Sequence, residues 1–215
     1  MQFNTYLDNK KKLKLIHDTS IREVILEHKT LSRMGRLDTE SLLTLTDSAL
    51  ESGLSPVLQW DILCTESNFE NCIKLLDDLP LSKFAAIRVQ DIGAAEWVRH
   101  ELPEIPLHFI AETGNHNLTG LLRWHEYFGQ QLQRFALSSE LPISTLNYYC
   151  RSLTVPCEIL AAGRILLFYT PRKLVGNDES SKNSFDFKEK ILVPSDQPQR
   201  QFPTLENQHG TFMYH

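Results

Sequence analysis

REVILEHK (Arg22–Lys29) is a short run with a β-branched, apolar middle, which is typical of a buried strand. Leucines at helical spacing follow it over residues 38–52. SPVLQWDIL (Ser55–Leu63) then repeats the strand pattern, and another helical pattern comes next. This alternation of strand and helix decides the fold class, because strands joined by crossover helices lie parallel in one sheet.

The alternation predicts six strands with five helices between them. The strands are expected at Arg22–Lys29, Ser55–Leu63, Phe84–Asp91, Pro106–Glu112, Arg134–Ser139 and Cys157–Arg164. A doubly wound sheet is disfavoured, because the sequence has neither a GxGxxG nor a Walker A turn. We therefore predict an α/β protein with a parallel (β/α) TIM-barrel-like sheet that is incomplete at one or both ends.

The same pass along the chain suggests four segments. Residues 1–20 form a polar, lysine-rich leader, and residues 21–175 form the barrel-like domain. Residues 176–190 are poor in aliphatic side chains and are expected to form a mobile loop. Residues 191–215 are expected to be a C-terminal extended segment, with two extended stretches and an H-G turn.

Composition excludes several classes of protein. The chain has 215 residues, 41% of them hydrophobic and 23% charged, which rules out wholesale disorder. Its formal charge of −5 disfavours a globally basic nucleic-acid binder. No stretch has the length of a signal peptide's apolar core or of a membrane span, so the expected location is cytoplasmic, without a membrane partner.

The cysteines and histidines do not form a metal-binding pattern in the sequence. Cys64, Cys72, Cys150 and Cys157 include no CxxC pair, and no Cys/His grouping has zinc-finger spacing. We expect four reduced, mostly buried thiols, with no metal and no cofactor. His108 is expected to line the core or the barrel.

Polar side chains close each predicted strand at its carboxyl end. They are Glu27, His28, Trp60, Asp61, Gln90, Asp91, Glu112, Ser139, Glu140 and Arg164. In a parallel barrel these ends share one edge, so Glu27, Asp61, Asp91, Glu112, Glu140 and Arg164 are expected to converge there. The alternative is that the strands exit into polar loops for solubility alone.

Several longer stretches resemble one protein family. They are RFALSSELP (Arg134–Pro142), EILAAGRILLFYTPRKLV (Glu158–Val175), IRVQDIGAAEWVRHELPEIPLHFIAETGNHN (Ile87–Asn117) and FPTLENQHGTFMYH (Phe202–His215). In content and order they are similar to the signature regions of peptidase family U32, the collagenase-like proteases. The resemblance implies a (β/α) barrel and links to proteolysis, RNA hydroxylation or ubiquinone hydroxylation.

The chain departs from the family's pattern at the cysteines. Lys173 follows Arg172 where the family has a cluster cysteine, and no cysteine occurs after Cys157. Cysteine thiolates hold iron–sulfur clusters, so a cluster of the family type is expected to be absent. The family's first strand and helix are also not evident before Arg22, which suggests a shortened member.

The resemblance suggests a role for Glu140, and the positions of the other polar residues at the strand ends suggest roles for them. Glu140 matches the family's strand-end glutamate and is the predicted catalytic residue. The predicted substrate-binding residues are Arg164, Asp91, Gln90, Glu112 and Asn117. A purely structural Glu140–Arg164 salt bridge is the alternative. No nucleophile motif surrounds any serine or cysteine.

Two functions remain open. The first is a peptidase-family enzyme that acts on a peptide or assists modification of RNA or a cofactor precursor. The second is a non-catalytic barrel subunit or scaffold whose partner is a paralogue that carries the cluster.

Overall fold

A computed structural model describes residues 2–16, 18–112, 114, 116–175 and 187–215 of the chain. They divide into two compact units, Met1–Ile159 and Leu160–His215. The barrel-like domain was predicted to end at residue 175, and the first unit ends at Ile159 instead. The reason is that the last strand of the first sheet ends at Glu158, well short of Arg164.

The first unit is built on a sheet of seven parallel strands, whose spatial order is the order of the chain. The strands are β1 (Phe3–Tyr6), β2 (Ile21–Glu27), β3 (Ser55–Trp60), β4 (Ala86–Val89), β5 (Leu107–Ala111), β6 (Leu132–Leu137) and β7 (Cys157–Glu158). Each pairs in parallel with the next. The predicted α/β fold with a parallel, barrel-like sheet is confirmed.

Six helices connect these strands. They are α1 (Lys10–Ile16), α2 (Thr39–Glu51), α3 (Glu66–Asp78), α4 (Ile92–Glu101), α5 (Leu118–Phe128) and α6 (Ile143–Ser152). Side-chain caps set where several of them begin: the carboxylate of Asp38 accepts from Ser41 N at 2.9 Å at the start of α2. Gly53, with φ of 71°, follows the end of α2 and turns the chain into β3.

Two ends of the predicted sheet differ from the structure. The first twenty residues contain β1 and α1, so the segment expected to be a polar leader supplies an edge strand and a helix. At the other end, the strand predicted over Cys157–Arg164 has only two residues. Hydrophobic periodicity missed β1 because its four residues are exposed or only half-buried, which leaves no apolar run to detect.

The two faces of the seven-stranded sheet differ in chemistry. The outer face packs against the helices and is apolar, with Leu26, Leu58, Ile87, Phe109 and Phe135 almost fully buried there. The inner face carries the side chains at alternate positions, and many of those are polar or charged. The hydrophobic core thus lies between sheet and helices, and the polar groups line the concave side.

The second unit is a four-stranded antiparallel sheet. Its strands are β8 (Leu166–Thr170), β9 (Lys188–Leu192), β10 (Phe202–Asn207) and β11 (Gly210–Tyr214), in the order β8-β11-β10-β9. The two extended stretches expected near the C-terminus are β10 and β11. Of the segment predicted as a mobile loop, residues 176–186 lie outside the described residues, and residues 188–190 belong to β9.

Candidate functional site

A continuous row of polar side chains crosses the inner face of the sheet. The backbone register pairs Glu27 with Gln59, Gln59 with Arg88, Arg88 with His108, and His108 with Arg134. Five neighbouring strands therefore present a hydrogen-bonding or charged side chain at the same level. All five residues lie within strands, and those of Arg88 and His108 are otherwise apolar, so this row is a feature of the inner face of the sheet rather than of solvated loops.

Two residues of this row, Arg88 and Arg134, form one ion-pair network with Glu23 and Glu158. Arg134 pairs with Glu23 through both of its terminal nitrogens and lies 3.3 Å from Glu158. Arg88 pairs with Glu158, and Asn4 donates to the same carboxylate at 2.7 Å. Since Glu23 lies on β2 and Arg134 on β6, the sheet is curled enough for strands four places apart to touch.

A second cluster lies at the carboxyl ends of the strands. Arg33, from the loop after β2, donates through Nε to Asp61 Oδ2 and through Nη2 to Glu112 Oε2, both at 2.8 Å. Gln59 donates to Asp61 at 2.9 Å and to Glu27 at 3.2 Å. We call Glu27, Arg33, Gln59, Asp61 and Glu112 the mouth cluster. It joins three carboxylates, one at the end of β2 and one directly after each of β3 and β5, around one guanidinium.

The loop that carries Arg33 is fixed by its backbone. Arg33 N donates to Asp61 Oδ1 at 2.8 Å, and the hydroxyl of Ser32 donates to Gln59 O at 2.7 Å. A Cβ at Gly35 would lie 2.6 Å from the carbonyl carbon of His28, so the turn closes only with glycine. The sequence thereby brings a guanidinium back over the end of the sheet.

Burial shifts the protonation of the groups in the lumen. It raises the pKa of Glu27 to about 8, and the nearby Asp61 carboxylate adds to the effect. Burial lowers the pKa of His108 to about 4, and Arg134 also favours the neutral ring. For Glu158, burial opposes ionisation, but Arg88, Arg134 and Asn4 outweigh it and hold its pKa below the usual value.

The predicted site residues separate into different environments. Glu112 joins the mouth cluster, and so do Asp61 and Glu27 from the predicted ring. Gln90 is buried just after β4. Asp91 and Asn117 instead cap helices: Asp91 accepts from Ala94 N at 3.0 Å, and Asn117 accepts from Gly120 N at 2.7 Å.

Glu140 and Arg164 lie outside the mouth cluster. Glu140 is exposed in the turn after β6, where its backbone N–H donates to Ser138 Oγ at 3.2 Å. Arg164 belongs to the C-terminal unit and is 3.9 Å from Glu189, with more than half of its side chain exposed. The expectation that Arg164 closes a strand of the parallel sheet is wrong, because β7 ends six residues earlier, at Glu158.

Sequence reasoning missed most of the polar residues of the two clusters. Glu23, Arg33, Gln59 and Arg88 are buried, and Asn4, Arg134 and Glu158 are half-buried. The signal was present in the strands: Glu23, Ile25 and Glu27 alternate with Val24 and Leu26, so one face of β2 is charged at both ends. The prediction considered only the residues at strand ends, so it did not include charged residues within the strands.

The polar groups at the mouth are engaged with one another rather than arranged around a metal. In the described part of the chain, no group of three or more His, Cys, Asp or Glu side chains is placed to hold a metal ion. The carboxylates of Asp61 and Glu112 both accept from Arg33. What the arrangement offers is a partly buried acid, Glu27, beside a fixed array of charge.

The fold and site define an open (β/α) barrel with a charged lumen and an acid-rich mouth. Comparison with models of known protein families identifies the family of the chain. The chain belongs to peptidase family U32, whose family model matches residues 9–184. The recognition made from sequence motifs is therefore confirmed.

A solved structure shows the same fold. The U32 peptidase Mk0906 superimposes with a TM-score of 0.57 at 15% sequence identity, over 74% of this chain and 68% of the other. Curated protein sequences give no match to the chain. Among the described residues, no helix has the length and apolar character needed to cross a membrane.

Proposed function

We propose that this protein is a peptidase-family enzyme that hydrolyses a peptide bond at the mouth of the open barrel. The observation that carries the proposal is Glu27, at the carboxyl end of β2, with a pKa raised to about 8. Active sites of (β/α) barrels lie at this end of the strands, and strongly shifted carboxyl groups are frequent among catalytic acids and bases. The family membership supports the choice of reaction.

In this proposal Glu27 is the general base. Its carboxylate takes a proton from a water molecule, whose oxygen then bonds to the carbonyl carbon of the peptide. The C–N bond breaks, and the proton held by Glu27 passes to the nitrogen of the leaving amine. A base with a pKa near 8 can both accept and return a proton near neutral pH.

The rest of the mouth cluster positions Glu27 and the substrate. Gln59 donates to Glu27 and Asp61, which fixes both carboxyl groups. Glu112 keeps about a quarter of its side chain exposed, so it can meet a substrate amine. The exposed Glu140, buried Gln90 and the loop residues Asp91 and Asn117 are proposed as rim contacts.

The charge of the mouth favours a peptide over RNA. Three carboxylates face one guanidinium, Arg33, so the cluster carries excess negative charge whenever Glu27 is ionised. A phosphate backbone would be repelled, since nucleic-acid binding depends on neutralising phosphates with Lys and Arg. A peptide that presents an amine or a basic side chain suits this mouth.

The test is cleavage of a quenched-fluorescence peptide library by the purified chain between pH 6 and 9. We expect hydrolysis that rises as the pH passes through about 8 and is lost in Glu27→Gln. Glu126→Gln, at an exposed glutamate on α5, is the matched control and should keep full activity. Glu140→Gln should weaken substrate binding without unfolding the protein.

A second function is supported by one feature of the sequence. No cysteine follows Cys157, and Lys173 stands after Arg172 where a cluster cysteine is expected. A non-catalytic subunit that binds a cluster-bearing paralogue accounts for this. If no library peptide is cleaved, or if Glu27→Gln cleaves as the wild type does, hydrolysis at Glu27 is excluded. Co-purification of the tagged chain with a paralogue would then establish the subunit role.

A further inference from the structure

Two neighbouring strands of the first sheet each carry a buried nitrogen atom that has no hydrogen-bond partner in the described part of the chain. These atoms are Nε of Arg88 and Nδ1 of His108. Arg88 and His108 have only 8% and 5% of their surface exposed. Because buried polar groups are nearly always hydrogen-bonded, two such atoms side by side point to a molecule that binds between them.

The backbone register holds the two side chains next to each other. Arg88 on β4 pairs with His108 on β5, so both side chains point to the same face from strands about 4.8 Å apart. On its other side Arg88 pairs with Gln59, which donates to Glu27 at 3.2 Å. The two nitrogen atoms therefore belong to the same row of inner-face side chains as the proposed base.

Both groups can donate a hydrogen bond to the same acceptor. Arg88 is anchored through Nη1, which pairs with Glu158, and its Nε–H can only donate. Burial lowers the pKa of His108 to about 4, so near neutral pH the ring is uncharged and one of its nitrogens carries a proton. An acceptor placed at Nδ1 selects the tautomer with the proton on that atom. The pair thus fits an oxygen atom that accepts two hydrogen bonds.

The charges around the pair favour a neutral oxygen acceptor over an anionic ligand. His108 lies between two guanidiniums, those of Arg88 and Arg134. Each guanidinium is already paired with a carboxylate, from Glu158 and Glu23 respectively. A bound carboxylate or phosphate would add an unbalanced charge to a buried site, which is costly. A peptide carbonyl brings no net charge and offers two lone pairs.

We propose that Arg88 Nε and His108 Nδ1 bind the carbonyl oxygen of the peptide bond that is hydrolysed, an inference that rests on the function proposed above. When the water oxygen bonds to the carbonyl carbon, the electron pair of the C=O π bond moves onto this oxygen, and it returns when the C–N bond breaks. The negative charge moves from Glu27 to the oxygen as Glu27 takes the proton. The two donors stabilise this oxyanion more than the neutral carbonyl, which lowers the barrier.

Binding is tested without hydrolysis in the Glu27→Gln variant, with N-acetyl-lysine methylamide as the probe. This molecule has the amide carbonyls of a peptide and the basic side chain that suits the mouth. NMR spectroscopy of protein labelled at the histidine ring nitrogens follows the tautomer of each ring. We expect a saturable shift of the His108 Nδ1 signal to that of a protonated nitrogen. The signals of His100 on α4, with 74% of its side chain exposed, should not move.

Cleavage of library peptides is then compared in variants of His108. His108→Phe keeps the shape of the ring and removes the donor, so kcat should fall about 10²–10³-fold, as for other oxyanion donors. The urea midpoint should stay at the wild-type value, since within the described ranges no protein group bonds to Nδ1. His108→Asn places an amide nitrogen near the position of Nδ1 and should recover most of the rate. His100→Phe is the matched control and should cleave as the wild type does.

The carbonyl site and the proposed hydrolysis can fail separately. If the probe shifts His108 but no peptide is cleaved, the carbonyl site stands and hydrolysis at Glu27 is excluded. If Glu27→Gln abolishes cleavage but saturating probe leaves the Nδ1 signal unmoved, hydrolysis stands and the carbonyl site is excluded. The site is also excluded if His108→Phe cleaves at the wild-type rate, or if its loss of activity is matched by a loss of stability.

Discussion

Asn4 Nδ2 lies 2.7 Å from Glu158 Oε2, and this hydrogen bond joins the two edge strands of the seven-stranded sheet. Among the described residues, no backbone pairing links β1 to β7, so the strands approach through side chains alone. The Glu23–Arg134 pair spans the same lumen one strand further in on each side. Polar and charged side chains thus link opposite edges of the curled sheet where the backbone ladder stops.

Replacing Glu158 with Gln should strongly destabilise the first unit. Arg88, with 8% of its surface exposed, loses its carboxylate partner and remains buried. Removing one member of a buried ion pair costs about 3–5 kcal/mol. Urea unfolding followed by circular dichroism measures the change. Glu126→Gln breaks the exposed Arg123–Glu126 pair and should leave the midpoint unchanged; equal effects of the two variants would contradict a structural network.

Glu27→Gln should change the dependence of stability on pH. Burial and Asp61 raise the pKa of Glu27 to about 8, so the folded state holds a proton that the unfolded state has released. The wild type therefore loses stability as the pH rises from about 4.5, the ordinary pKa of the carboxyl, to about 8, and the loss levels off at higher pH. Relative to the wild type, the Gln variant should gain about 1–2 kcal/mol between pH 6.5 and 8.

The measurement for Glu27 is urea unfolding of both proteins at several pH values across this range. Comparing the two proteins cancels the titration of His28 and His108, whose pKa values are both lowered to about 4. Their contribution has the opposite sign, because the unfolded state binds those protons as the pH falls below about 6.5. A constant difference between wild type and variant would contradict the raised pKa.

Gly35→Ala should destabilise the protein and disturb the mouth cluster. The new methyl group would lie within 2.6 Å of the carbonyl carbon of His28 and 2.9 Å from Lys29 N, both backbone atoms that cannot move aside cheaply. We expect a loss of about 1–3 kcal/mol in thermal or urea unfolding. Gly120→Ala, inside α5, meets only the Asn117 side chain and should be close to neutral. Similar losses of unfolding free energy in the two variants would show that the loop can accommodate a methyl group at position 35.

Asp91→Ala should lower the free energy of unfolding and not only the affinity for substrate. Asp91 accepts from Ala94 N at 3.0 Å and from Cys64 N at 3.1 Å, so it caps α4 and anchors the loop after β3. Loss of an N-cap costs about 0.5–2 kcal/mol. Asp91→Asn keeps an acceptor and should recover most of the stability. If Asp91→Ala folds as stably as the wild type but loses substrate affinity, Asp91 is a binding residue.

Much of the fold could be predicted from the sequence, because most of its strands and helices leave a local periodic pattern of apolar residues. The β2, β3, β4, β5 and β6 strands are short runs rich in apolar residues, and each is followed by a helix with its own apolar stripe. The β1 strand and the end of β7 at Glu158 could not be predicted in this way. A four-residue edge strand and a two-residue strand bury too little surface to leave a pattern, and only pairing with β2 and β6 defines them.

The site was only partly predictable. Glu27, Asp61 and Glu112 were expected at one end of the sheet because parallel strands share that end, and the structure brings them together. The cation among them was expected to be Arg164 and is Arg33. Nothing in the spacing indicates that the loop after β2 folds back over β3, since that depends on contacts of Ser32 and Gly35 with distant backbone.

The alternation of strands and helices, the parallel sheet and the family could be predicted from the sequence, because they follow from residues that are neighbours along the chain. Which charges meet depends on tertiary packing. Glu23 and Arg134 are 111 residues apart, and Asn4 and Glu158 are 154 apart. Such pairs form because the sheet curls until side chains from strands on its opposite sides come into contact. That curvature depends on the packing of all the strands and helices together, so no single segment of the sequence indicates it.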